Sequence, residues 1–189
     1  RNKDIFIIQT GSSNKEIGYS INDILIETVI LINACRLSSC RNITLICPLL
    51  FYSRSDKKDL PRTPISARAV ADILNIDRLI TLDLHSNQAA GFYKIPVDNL
   101  YSVALVANHL NKTLFKDIED KSNFLAISPD VGAVARTLAF SKRLNLDMII
   151  CHKQRNYEKK STIDKLTIIK NCDINNKIGI IFDDMADSC

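Results

Sequence analysis

The sequence predicts an α/β fold in which parallel sheets are flanked by helices. Three features carry that reading. Short apolar runs alternate with stretches of helical period, the runs are almost continuously apolar, and chemically active residues follow them directly. In sheets of this kind ligands gather at the carboxyl ends of the strands. The residues just after each run are therefore the first candidates for function.

The elements follow in order. Ile5–Gln9 reads as a buried strand and Asn22–Leu37 as a helix. Ile43–Cys47 is a second strand, followed by a long polar connection from Leu49 to Thr63 and a helix over Ser66–Asn75. Ser66 is expected to cap that helix, with Pro64 marking the boundary. Leu79–Leu82 is a third strand, Ser102–Phe115 a helix, Phe124–Ser128 a strand and Val131–Leu144 a helix. Met148–Cys151 and Ile178–Phe182 complete the set of short buried strands. Between them, residues 152–176 break the rhythm and read as a mobile loop, with Leu166-Thr167-Ile168-Ile169 as an extra edge strand. The weakest join follows Pro96-Val97-Asp98-Asn99-Leu100, which divides the chain into residues 1–100 and 101–189.

Composition narrows the class. Hydrophobic residues make up 46% and charged residues 24% of the 189 positions, as in an ordinary globular protein. The net charge of +4 suits an anionic small molecule but is too small and dispersed to argue for nucleic acid. No run approaches the roughly 20 apolar residues of a membrane span. The opening residues carry no signal or transit segment, and the absent initiator Met suggests that the natural start lies upstream. The six cysteines show no CxxC spacing, and three lie in or beside apolar runs. A reducing, cytoplasmic compartment is expected.

Five constellations carry the chemistry. Asp183-Asp184 follows an apolar strand, and adjacent carboxylates there suit a sugar diol, each accepting hydrogen bonds from hydroxyls. Asp187-Ser188-Cys189 would open a loop whose amide groups face a phosphate. Asp83-Leu84-His85 follows the third strand. In a continued strand Asp83 and His85 would point the same way and could join a metal site, although alone His85 reads more readily as a structural hydrogen-bonding residue. Ser128-Pro129-Asp130-Val131-Gly132 forms a strand-to-helix turn, in which Asp130 is either a ligand group or a helix cap. Arg54, with Ser55 and Asp56, suits phosphate and base contacts or is simply a solvated loop. Lys153 and Arg155 alternate, so an extended loop would present both cations on one side.

Taken together, DLHSNQAAGFYKIPVDNLYS, SPDVGAVAR, HKQR, FDDMADSC and PLLFYSRSDKKDLPRTPISAR resemble the signature segments of the ribose-phosphate diphosphokinase (phosphoribosyl pyrophosphate synthetase) family. The resemblance runs from residue 1 to 189 and implies the central part of a subunit. Two phosphoribosyltransferase-like domains would then both be incomplete, residues 1–100 on the ATP side and residues 101–189 on the ribose 5-phosphate side. By itself this stretch is expected to be inactive.

The family transfers the diphosphoryl group of Mg-ATP to the anomeric hydroxyl of ribose 5-phosphate, giving phosphoribosyl pyrophosphate and AMP. Resemblance implies that Arg54, Ser55 and Asp56 line the ATP site, and that His85 and Asp130 hold Mg²⁺ with Asp83 or Asp98 nearby. It also implies that Asp183 and Asp184 take the ribose hydroxyls and that Asp187, Ser188 and Cys189 begin the 5′-phosphate loop. Lys153 and Arg155 would be the catalytic pair. Partners are thus ATP and ribose 5-phosphate, in a homo-oligomer, with neither nucleic acid nor membrane.

The chain departs from the family pattern at four of these positions. Ser55 stands for a usual glutamine, Lys94 for an acidic residue, Ala133 for a glycine and Ser188 for a threonine. Ser55 and Lys94 favour an alternative, a non-catalytic synthetase-associated regulatory subunit. A phosphoribosyltransferase is a third reading, against which the upstream DLH and SPD segments speak.

Overall fold

A computed structural model of the chain describes residues 1–14, 16, 18–58, 60–155, 163–170 and 172–186, with the side chains of 153–155 and 163–166 outside that description. The chain divides into two compact units, Arg1–Tyr101 and Ser102–Cys189.

In the first unit, strands β1 (Asp4–Ile8), β2 (Asn42–Ile46), β3 (Arg78–Leu82) and β4 (Val97–Leu100) form one sheet in that order. Every pairing is parallel, with Ile5 opposite Ile43, Leu45 opposite Leu79 and Ile80 opposite Asp98. Helices α1 (Ile21–Leu37) and α2 (Ser66–Ile73) make the crossovers. Ile43, Leu45, Leu79 and Phe51 are wholly buried, packed with Ile24, Leu25 and Ile32 of α1 and Val70 of α2. Each such side chain contributes roughly 1.5–3 kcal/mol when removed from water. α1 begins with a reciprocal cap, in which the Asp23 amide donates to Ser20 Oγ and the Ser20 amide to Asp23 Oδ2.

In the second unit the order is β7 (Ile163–Ile169), β6 (Asp147–Arg155), β5 (Phe124–Ser128), β8 (Ile178–Ile181), with α3 (Val103–Lys112) and α4 (Val134–Leu144). β5 pairs parallel with both β6 and β8, whereas β7 runs antiparallel to β6. Its core gathers Phe140 and Leu144 of α4, Phe124 and Ala126 of β5, and Phe115 and Phe182. The Phe115 and Phe124 rings meet edge to face at 5.0 Å.

The α/β class, the parallel pairing of all but one strand and the extra edge strand agree with expectation. Two elements differ. β4, expected only as the stretch leading into the weakest join, is a strand with Asp98 and Asn99 inside it. Its apolar pattern is too short and too polar to signal a strand, and pairing with β3 is what extends it. Residues 152–155, expected as loop, continue β6, because β7 supplies an antiparallel partner from Ile150 opposite Ile169 to Arg155 opposite Ile163. A register irregularity falls between Gln154 and Arg155, where Asp164 of β7 is the extra residue.

Gly11 fixes the loop after β1. Its φ is +67°, and a Cβ there would lie 1.8 Å from the Leu49 carbonyl oxygen. A left-handed backbone and a clash with main chain act together. Gly11→Ala is expected to cost at least ~2 kcal/mol, read as a lowered denaturation midpoint.

Candidate functional site

At the carboxyl edge of the first sheet, the chain leaves β2 through a series of turns. The Cys47 amide donates to the Ile80 carbonyl at 2.9 Å, Phe51 anchors the segment in the core, and Tyr52 adopts a left-handed φ of 54°. Ser55 then ties the segment to α2. Its Oγ accepts from the Ser66 amide at 3.1 Å and its carbonyl from the Ala67 amide at 3.1 Å. These are two of the amides that a helix start leaves without intrahelical partners. Ser66 is not the cap it was expected to be. It is the first residue of α2, Ile65 precedes it with no side-chain cap, and Ser55 performs the capping from a distant part of the chain.

Arg54 and Asp56 flank that anchor, exposed and half-buried respectively. Ser55→Ala is expected to lower stability by about 1 kcal/mol in a chemical denaturation series, while Ser55→Thr keeps most of it.

At the end of β3 the strand stops at Leu82. Asp83 has a φ of 46°, and its amide donates to the Leu100 carbonyl at 2.8 Å. Asp83 and His85 therefore do not alternate along a strand as expected. Leu84 between them is buried, and its amide donates to Asn99 Oδ1 at 3.1 Å, which pins the turn to β4. Asp83 is half-buried and His85 exposed. Asp98 is placed differently. Arg78 holds its Oδ2 through Nε at 2.7 Å and Nη2 at 2.6 Å, within the sheet opposite Ile80 and not beyond the strand ends.

In the second unit the Ser128–Gly132 turn is held from inside. Ser128 Oγ donates to the Asp130 carbonyl at 2.8 Å, and Asp130 Oδ1 accepts from the Ala133 amide at 3.0 Å. One carboxylate oxygen thus organises the entry to α4, which begins at Val134 instead of Val131.

The most developed arrangement lies after β8. α4 places Arg136 and Phe140 one turn apart on one face. Phe140 stacks on Phe182, with centroids 4.7 Å apart and planes 7° from parallel. Arg136 Nη1 donates to Asp183 Oδ1 and to Asp184 Oδ1, each at 2.9 Å. Only 6% of the Asp184 side chain and 19% of Arg136 is exposed. Burial pushes the Asp183 carboxyl above its ordinary value of 3.8, the adjoining Asp184 adds to this, and Arg136 opposes both without cancelling them.

Arg136 is the group that motif reading left out. It stands at the end of SPDVGAVAR, and its signal was its i, i+4 spacing to the apolar Phe140 on the face that meets the strand end.

Lys153 and Arg155 lie on β6 beyond Ile150, the last residue paired with β5, in a ribbon whose partner among the described residues is β7. Asp187, Ser188 and Cys189 lie outside the described residues. Among the described residues, no three His, Cys, Asp or Glu side chains are gathered closely enough to hold a metal.

Comparison with known proteins bears directly on these edges. Residues 1–76 match the family described as the N-terminal domain of ribose phosphate pyrophosphokinase. The whole chain is 41% identical to ribose-phosphate pyrophosphokinase 4 of Saccharomyces cerevisiae, covering 55% of that protein. Along its whole length the chain is similar to ribose-phosphate pyrophosphokinases. It is likewise 40% identical to ribose-phosphate pyrophosphokinase 2 of Schizosaccharomyces pombe, covering 56% of it. The fold matches the crystal structure of phosphoribosylpyrophosphate synthetase from Mycobacterium smegmatis with a TM-score of 0.79 and 29% identity, over 97% of this chain and 55% of that one. The chain thus spans about half the length of the ribose-phosphate pyrophosphokinases it matches.

Of the departures from the family pattern, Ala133 is accommodated, since its φ of −84° is open to any residue and its methyl is buried. Lys94 is exposed on the connection into β4.

Proposed function

We propose that the full-length protein transfers the diphosphoryl group of Mg-ATP to the anomeric hydroxyl of ribose 5-phosphate, giving phosphoribosyl pyrophosphate and AMP for nucleotide biosynthesis. The Arg136-held pair of Asp183 and Asp184 is the observation that supports this best, in a chain related to ribose-phosphate pyrophosphokinases along its whole length. Two carboxylates fixed side by side accept from two vicinal hydroxyls, and the guanidinium between them keeps their free oxygens oriented. Arg136 acts here as a positioning residue.

Arg54 and Asp56 serve the ATP side in this reading, with Ser55 holding their loop on α2. Asp83 and His85 are the candidate Mg²⁺ groups of the first unit, and Asp130 is the candidate of the second. Each unit by itself offers one carboxylate, a donor set short of a complete cage. That fits an ion that takes one or two carboxylates plus phosphate oxygens and water. When bound, Mg²⁺ neutralises charge on the phosphates. Asp98 is not carried forward, because Arg78 already holds its carboxylate. Lys153 and Arg155 stabilise the charge that develops during transfer. Assembly into a homo-oligomer and a cytoplasmic location belong to the same reading. No helix among the described residues is long and apolar enough to cross a membrane.

Titration of ribose 5-phosphate into the full-length protein tests the diol assignment. Asp184→Asn removes a charged acceptor, and loss of about 2 kcal/mol corresponds to a dissociation constant raised some thirtyfold. An unchanged constant sinks the assignment. The regulatory-subunit reading rests on Ser55, whose hydroxyl is engaged with the α2 amide, and on the exposed Lys94. Intact ribose 5-phosphate binding without AMP formation, in a folded oligomer, would favour it.

A further inference from the structure

We propose that Cys35 and Cys40 form a thiol–disulfide redox pair, a modification site at the carboxyl end of α1 that is oxidised by a low-molecular-weight disulfide of the glutathione class. The geometry starts from the way α1 ends. The Ser39 amide donates to the Arg36 carbonyl at 3.0 Å, the Cys40 amide donates to the Cys35 carbonyl at 3.3 Å, and Ser39 has a φ of 59°. This pair of crossed bonds around a left-handed residue is the Schellman ending. It folds the chain back so that the second residue past the cap packs on the last turn of the helix. Here those two residues are Cys40 and Cys35.

The bond between them limits their Cα separation to about 7 Å at full stretch, and any bending at the carbonyl brings it lower. Disulfides span roughly 4.4–6.8 Å. Both thiols are free and half-buried, and both line a single cavity of about 240 Å³ whose wall also carries Arg1 and Lys3. Two cations beside the thiols favour an anionic disulfide reagent. Cys47 offers the contrast. It is fully buried, its Sγ donates to the Leu49 carbonyl at 3.2 Å, and burial pushes its thiol up to about 12.

The chemistry balances in two exchanges. One cysteine thiolate attacks a sulfur of glutathione disulfide, the reagent's S–S bond breaks, and one glutathione thiolate leaves and takes up a proton. The second cysteine thiolate attacks the mixed disulfide at the protein sulfur, forming the Cys35 Sγ–Cys40 Sγ bond and releasing the second glutathione. Two electrons pass from the protein to the reagent, and the two protein protons end on the two glutathiones. Disulfides of this kind in reducing compartments are transient and redox-sensing.

The test incubates the full-length native protein with glutathione disulfide, blocks remaining thiols by alkylation and digests with trypsin. Cleavage after Arg36 separates the two cysteines, so the bridge yields residues 16–36 linked to residues 37–41, lighter by two hydrogens and separable with dithiothreitol. Cys40→Ser is expected to leave a glutathione adduct on Cys35 that persists at least tenfold longer than in wild type. Alkylated Cys35 and Cys40 after exposure, two unlinked glutathione adducts, or equal rates of bridging in native and urea-unfolded protein would each overturn the proposal.

Discussion

Arg136→Met is expected to lose about 2 kcal/mol or more of stability at neutral pH and to weaken ribose 5-phosphate binding at the same time. The substitution keeps an unbranched side chain beside Phe140 but removes the one guanidinium nitrogen that serves both Asp183 and Asp184. A mostly buried carboxylate pair without its cation is the costly half of a broken ion pair, while the packing of Phe140 on Phe182 is retained.

The pH dependence carries a definite sign. A carboxyl whose folded-state pKa lies above its unfolded value binds its proton more tightly in the native state. The stability it contributes is complete below the ordinary value of 3.8 and is lost as pH rises through the raised value. Asp183 is such a group already in the native protein, and without Arg136 it is raised further. The deficit of Arg136→Met relative to wild type is therefore largest at neutral pH and shrinks as pH falls towards 3.8. Denaturation midpoints across that range measure it, and a deficit that grows on acidification contradicts it.

Lys153→Ala in the full-length protein is expected to lower kcat by at least a hundredfold, about 3 kcal/mol, with little change in KM for ribose 5-phosphate. The reason lies in where β6 goes. Its pairing with β5 ends at Ile150, and, among the described residues, 151–155 continue as a ribbon with β7. A two-stranded ribbon is marginal in isolation, so it can bend with little cost when an anionic ligand draws its cations inward. A cation that approaches only as charge develops contributes to turnover more than to ground-state binding. Steady-state kinetics separate the two. A raised KM with unchanged kcat would place Lys153 in substrate binding instead.

The sequence made the strands legible where apolar runs are continuous. β5 and the start of β8 are continuous apolar runs, and their bounds agree with the structure within one residue. β4 was not legible, because a four-residue edge strand containing Asp98 and Asn99 owes its form to β3 and not to its own pattern. The same division runs through the candidate site. Adjacent carboxylates after a strand announce themselves, as Asp183 and Asp184 do. What holds them does not, since Arg136 lies 47 residues away along the chain from Asp183. Ser55 shows the point again. Its residue type suited a ligand contact, whereas its hydroxyl caps a helix that begins 11 residues later. Local pattern identifies reactive groups, and only the fold shows which are already engaged.

Product analysis of the full-length protein supplied with ATP, Mg²⁺ and ribose 5-phosphate tests diphosphoryl transfer most directly. One AMP is expected for each phosphoribosyl pyrophosphate formed, with no product when any of the three is withheld. Release of ADP instead, or no nucleotide product from a folded protein that binds ribose 5-phosphate, would contradict it.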